Sequence, residues 1–164
     1  MKNMAKNKES KTNAMRILEK NKIEYKRYTY ECEEFIDGLQ IADMLELPYE
    51  KVYKTLVTTG SDKNYYVFVI PIAAELDLKK AARSVSEKAV HMLPVKDIHD
   101  VTGYIRGGCT AVGMKKQYVT KVDISAEKLE KMIVSGGRIG SQIELAPSDL
   151  LKAAQARYAQ LLKE

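Results

Sequence analysis

Two cysteines and two histidines are all that this chain of 164 residues offers to thiol or imidazole chemistry. Cys32 and Cys109 lie far apart and form no Cys-x-x-Cys pair, which excludes a disulfide framework and points to a reducing, cytoplasmic setting. His91 and His99 have neither HxxxH nor HExxH spacing and no cysteine pair beside them. A zinc site needs three or four ligands, so no metal site and no cofactor is expected. No apolar run approaches the roughly 20 residues that span a bilayer, and residues 1–11 lack the apolar core of a secretory signal, so no membrane partner is expected. There is no GxSxG elbow and no Walker loop, which leaves a hydrolase triad and nucleotide hydrolysis without support.

What is present suits one compact domain. Hydrophobic residues make up 45% of the chain and charged residues 30%, a balance that buries a core and keeps a solvated surface. Lys and Arg number 27 against 22 Asp and Glu, a formal charge of +5. A basic face attracts phosphates, but ordinary surface lysines give the same count, so charge permits an RNA partner without naming one. Residues 1–11 read as a basic flexible arm and residues 12–164 as the folded domain.

Hydrophobic periodicity and turn chemistry predict interleaved helices and strands. Thr12 or Asn13 caps a first helix, with Ala14, Ile17 and Leu18 on its apolar face. Residues 25–30 alternate as a strand. Asp37 and Gln40 form a capping box for a short helix that ends before Pro48. Residues 52–59 and 65–70 flank a five-residue loop and read as a hairpin. A helix over 77–84, a strand near 88–92 and a helical turn over 95–101 follow. Beyond a glycine-rich stretch, a strand is expected near 118–122, a short helix over 125–131, and extended segments at 132–135 and 142–145. Pro147 opens a final helix whose face carries Leu150, Leu151, Ala154, Tyr158, Leu161 and Leu162. This irregular alternation predicts an α+β fold with a mixed sheet.

Three segments carry unusual residues. Lys54 sits in the otherwise apolar run 52–57, sharing a strand face with Val52 and Leu56. A lysine there is either an edge-strand charge or a cation facing a ligand cavity. Gly107-Gly108-Cys109 begins a second segment. Paired glycines bring backbone N–H groups close to an anion or a developing oxyanion, and they equally make a tight turn. Ser135-Gly136-Gly137-Arg138 offers a hydroxyl, free amides and a cation at a strand end. A Cys109–histidine dyad is conceivable, although a lone cysteine is more often a small buried hydrophobe.

Taken in order, these segments resemble the YbaK/EbsC family of Cys-tRNA(Pro) deacylases and prolyl-tRNA synthetase-associated editing domains. The lysine strand stands here as Val52-Tyr53-Lys54-Thr55-Leu56, and the glycine loop as Arg106-Gly107-Gly108-Cys109-Thr110-Ala111-Val112-Gly113. The late signature is Ser135-Gly136-Gly137-Arg138-Ile139-Gly140, followed by Ile143-Glu144-Leu145-Ala146-Pro147. The resemblance implies a curved, barrel-like mixed sheet surrounded by helices, and hydrolysis of the ester joining a wrong amino acid to tRNA. It implies that Lys54 and Thr55 hold the terminal adenosine or its phosphate, and that Gly107 and Gly108 face the ester carbonyl. Tyr28, Ser135, Arg138 and Gln142 would complete the substrate pocket. Ala111 replaces a proline common in the family, and Gln142 an aspartate, both at the expected pocket. The implied partners are the aminoacylated 3′ end of tRNA and prolyl-tRNA synthetase. A non-catalytic aminoacyl- or nucleotide-binding module and a synthetase partner subunit are the alternatives to an enzyme.

Overall fold

The computed structural model describes residues 10–32 and 36–164. Residues 1–9, most of the expected arm, lie outside the described residues. Ser10 and Lys11 at its end are hydrogen-bonded to the domain: the Arg27 guanidinium donates to Ser10 O at 2.9 Å, and the Lys11 ammonium reaches Glu19 at 2.7 Å.

The first helix, α1 (Asn13–Lys20), starts where the Thr12 hydroxyl accepts the Met15 amide, and it buries Ala14, Met15 and Leu18. Strand β1 (Lys26–Thr29) follows, then α2 (Gly38–Met44), which carries the expected capping box with both bonds made. A 3-10 turn (Tyr49–Lys51) leads into β2 (Tyr53–Thr59), which hairpins into β3 (Tyr65–Pro71). Asp77 caps α3 (Leu78–Ser84) with two backbone bonds. The strand expected near 88–92 is reduced to β4 (His91–Met92), and a 3-10 turn (Val95–Asp97) precedes α4 (Ile98–Thr102).

After the glycine stretch come β5 (Val119–Asp123), β6 (Met132–Ser135), β7 (Ser141–Leu145), α5 (Pro147–Ala154) and β8 (Arg157–Ala159). Two expectations need correction. The helix expected over 125–131 is a 3-10 turn, Ile124–Lys128, capped by Asp123 rather than by Ser125. The final helix stops at Ala154 because Gln155 turns left-handed (φ 53°) and the Ala156 amide bonds back to Leu151 O. Tyr158 therefore lies in β8, which pairs parallel to β5, with Leu161 and Leu162 beyond it.

Among the described residues the strands form two sheets, β1-β7-β6 and β4-β2-β3-β5-β8, the second mixed. The α+β fold class is as expected, but the sheets do not close into a barrel. They meet at one parallel bridge, Val52 to Ile133. Beyond it β2 and β6 pair no further, and the gap between the sheets is where the cavity lies. The main core packs Met15 and Leu18 against Val67, Val69, Ile143 and Leu145 on one side, while Phe68, Ile70 and Leu161 fill the far face of β3.

One buried carboxylate ties the chain's last segment to this frame. Asp123 is 2% exposed and accepts the Leu161 amide through Oδ1 and the Ser125 amide through Oδ2, each at 3.0 Å. Replacing it with alanine strands two buried donors, so Asp123→Ala is expected to lower unfolding stability by about 3 kcal/mol in urea titration. A loss below about 0.5 kcal/mol would mean that those amides find water.

Candidate active site

A cavity of about 490 Å³ opens between β2, the glycine stretch and the ends of β6 and β7. Its polar groups come from segments far apart in the chain: Asp37 from the cap of α2, Lys54 and Thr55 from β2, Arg106 and Gly107 from the glycine stretch, Ser135 from β6, and Gln142 from β7. Apolar walls extend to both sides. Val52, Ile41 and Ile72 form one, and Val57, Leu93 and Ile98 the other.

The local structure explains why these residues converge. Lys54 lies on the half-buried middle of β2, opposite Ile70 of β3. Among the described residues the second edge of β2 joins a ladder or bridge only at its ends, by Ile133 at Val52 and by β4 at Thr58 and Thr59. Lys54 is thus on an edge-like stretch and also on the cavity wall, so its two sequence readings describe one position. Ser135 and Gln142 face each other across the β6–β7 pair. The Ser135 hydroxyl accepts the Gly137 amide at 3.2 Å, which orients the side chain and leaves its own proton for donation. Gln142 is almost fully buried. The neighbouring Tyr30 hydroxyl is pushed up by burial, against hydrogen bonds involving Gly140 and Gln142.

The glycine stretch is held at several points. Tyr104 Oη donates to Val112 O at 2.6 Å, and burial pushes that hydroxyl up to about 12. Asn13 Nδ2 donates to Gly113 O at 3.1 Å, so α1 fixes the far end. Gly107 adopts φ +89°, a left-handed conformation suited to glycine. Gly108 is glycine for a different reason. A Cβ there would come within 2.7 Å of Arg138 Cα, so the loop rests directly on the backbone of the late signature.

The expected site residues are distributed unevenly. Lys54, Thr55, Gly107, Ser135 and Gln142 share the cavity. Gly108 packs behind it, with its amide bonded to Ile105 O at 2.9 Å. The Arg138 guanidinium donates to Ser10 Oγ and Ser10 O, fastening the chain at residue 10. Tyr28 packs against Ala42, Val52, Ile72 and Ile133, with its hydroxyl 3.5 Å from Glu144, which also receives the Lys51 ammonium at 3.0 Å. Ala111 is buried in the main core rather than at the pocket, so the departure from proline there does not reach the cavity wall. The residues not anticipated are Arg106, a cation just before the glycine pair, and the apolar wall around Leu93.

Cys109 lines the cavity, but neither histidine does. Desolvation pushes the Cys109 thiol up to about 11, which keeps it protonated and a poor nucleophile. Cys109→Ser is accordingly expected to retain activity within about threefold, a margin of under 1 kcal/mol in barrier. A thousandfold loss would restore the dyad. Among the described residues there is no group of three or more His, Cys, Asp or Glu side chains placed to hold a metal ion. No helix among them is long and apolar enough to cross a membrane.

Comparison with known proteins agrees with this arrangement. The aminoacyl-tRNA editing domain matches residues 38–153, a span that includes Lys54, Thr55, Arg106, Gly107, Ser135 and Gln142 of the cavity. A relative from Enterococcus faecalis, described as a candidate Cys-tRNA(Pro)/Cys-tRNA(Cys) deacylase EbsC, is 43% identical over 160 residues, covering 96% of this chain and 98% of its own. A solved structure described as a candidate trans-editing enzyme for prolyl tRNA synthetase superposes with a TM-score of 0.78 at 20% identity, over 94% of this chain and 100% of that one. A second, of a protein without assigned function, reaches 0.81 at 20% identity over 89% and 96% of the two chains. At such identity the two structures speak for the fold, while the relative and the domain match speak for descent. The lysine strand, glycine loop and late signature thus meet around one cavity in a chain that belongs to the aminoacyl-tRNA editing domain family, the YbaK family of aminoacyl-tRNA deacylases.

Proposed function

We propose that the chain hydrolyses cysteine from mis-charged tRNA(Pro), using its cavity to position the ester rather than to attack it with a side chain. The observation that carries this reading is the cavity's composition: a lysine, a serine hydroxyl, a buried amide and a glycine backbone converge there, and its one thiol is held protonated. An ester is already activated, and a nucleophile held in register gains a large effective concentration. Cysteine esterified to tRNA carries such a nucleophile. Its Sγ attacks the ester carbonyl, the C–S bond of a four-membered thiolactone forms, and the C–O bond to the ribose breaks. The thiol proton ends on the departing ribose oxygen, and water then opens the thiolactone to free cysteine.

Each residue has a place in this scheme. Lys54, with Thr55 beside it, holds the terminal adenosine or its phosphate. The Gly107 peptide faces the carbonyl, where charge develops. Ser135 and Gln142 orient the aminoacyl group. Tyr28, Arg138 and Gly108 support the walls from behind. The domain offers little surface for reading a whole tRNA, which favours prolyl-tRNA synthetase as the partner that selects it, in the cytoplasm where tRNA is charged.

The test is release of cysteine from purified Cys-tRNA(Pro) in EDTA, with and without prolyl-tRNA synthetase. Release that the synthetase accelerates is expected. No release in either case, from a folded sample, would leave the pocket as a binding module.

A further inference from the structure

The edge of β2 that faces the cavity has a stretch that no strand ladder covers among the described residues. The Ile72 amide donates to Val52 O at 3.0 Å, extending the register in which Lys54 opposes Ile70 and Leu56 opposes Phe68. Residues that exchange hydrogen bonds alternate along an antiparallel pair. Lys54, Leu56 and Thr58 therefore aim their N–H and C=O groups at β3, as Val52 does its C=O, while Tyr53, Thr55 and Val57 aim theirs the other way. The Leu93 amide, which donates to Val57 O at 3.0 Å, arrives from that other side.

This second edge is closed at one end by the Val52–Ile133 bridge and at the other by β4. Between them, Thr55 belongs to no strand ladder on this side among the described residues, and its N–H and C=O face the gap between the sheets. Every residue from Val52 to Val57 lines the cavity, although alternate side chains point to opposite faces. A strand that lines a cavity without a gap presents its edge to it. A half-buried backbone donor and acceptor outside any ladder are stabilised by a ligand that supplies the matching groups.

We propose that the Thr55 main chain pairs with the aminoacyl group of the substrate, as one residue of a neighbouring strand would. This rests on the deacylase reading. The Thr55 carbonyl accepts a hydrogen bond from the α-ammonium group, and the Thr55 amide donates to the ester carbonyl oxygen, across from Gly107. An α-amino ester has the donor and acceptor spacing of one peptide residue, so a strand edge recognises it whatever its side chain. The side chain is then judged separately, by its ability to reach its own carbonyl. This pairing selects an α-amino acid ester over any other acyl ester of tRNA.

The test uses a hydrolysis-resistant probe, 3′-deoxy-3′-(L-cysteinylamino)adenosine, and its counterpart lacking the α-amino group. A hydrogen bond to a charged group contributes roughly 1.5–3 kcal/mol, so the desamino probe is expected to bind at least about tenfold more weakly. The Thr55 amide proton is expected to shift downfield and exchange more slowly with the amino probe bound. Equal affinity for the two probes, or a Thr55 amide that stays unchanged while the Gly107 amide moves, would overturn the proposal. The Thr55→Pro variant removes the amide without breaking a β2–β3 bond, and Thr55→Ser keeps it. A folded Thr55→Pro protein with wild-type activity would also overturn it. A protein that releases cysteine from Cys-tRNA(Pro) yet fails these tests sinks this pairing alone, whereas absence of release sinks the functional reading.

Discussion

Lys54→Ala is expected to lower the rate of cysteine release from Cys-tRNA(Pro) about a hundredfold, through the loss of one charge-assisted contact worth roughly 1.5–3 kcal/mol. The fold should survive. Lys54 is half-buried on the one stretch of β2 that no neighbouring strand covers, and none of the salt bridges among the described residues involves it. Removing its side chain therefore breaks no salt bridge among the described residues, and the melting temperature should move by no more than a few degrees. The loss should appear mainly in kcat/KM at low substrate, because the proposed contact is with the tRNA end rather than with the breaking bond. Full activity in the variant would reduce Lys54 to an edge-strand charge.

Gly108→Ala is expected to cause a comparable loss of activity by a different route. The added methyl group would sit 2.7 Å from Arg138 Cα and 2.9 Å from its carbonyl carbon, and neither neighbour is a flexible side chain that can step aside. The glycine loop must move away from the late signature, at an overpacking cost of roughly 1–3 kcal/mol. Because Gly107 is the adjacent residue, the peptide proposed to face the ester shifts with it. Misplacement by about 1 Å costs roughly a hundredfold in rate. The variant should therefore lose both stability and turnover, whereas Lys54→Ala loses turnover alone. Differential scanning calorimetry alongside single-turnover kinetics separates the two patterns. A Gly108→Ala protein with native stability would mean that the loop is free to slide on residue 138.

Much of the fold could be read from local chemistry. The Asp37–Gln40 capping box and the hairpin around Gly60–Asn64 depend on residues close in sequence, and both formed as expected. The end of the chain could not be read this way. The apolar positions from Leu150 to Leu162 suit a continuous helix, but the left-handed turn at Gln155 and the pairing of β8 with β5 are decided by contacts with a strand some 35 residues earlier. The candidate site divides along the same line. Lys54, Gly107, Ser135 and Gln142 stand in recognisable segments and meet in one cavity. The close approach of Arg138 to the Gly108 Cα was not legible, because nothing in either segment reveals it. The bonds from Arg138 to Ser10 were not legible either, since the two are 128 residues apart. The Leu93 wall had no signal of its own, being an ordinary apolar residue before a proline.

The central claim is that the substrate supplies its own nucleophile, and the most direct measurement is single-turnover release from Cys-tRNA(Pro) and Ala-tRNA(Pro) under identical conditions. The two esters share the tRNA, the α-amino group and the carbonyl, and differ in the thiol. Rapid loss of cysteine with alanine release near its spontaneous rate is the predicted result. Comparable rates on both esters would contradict the account, because alanine has no thiol and its release would require water activated by the protein.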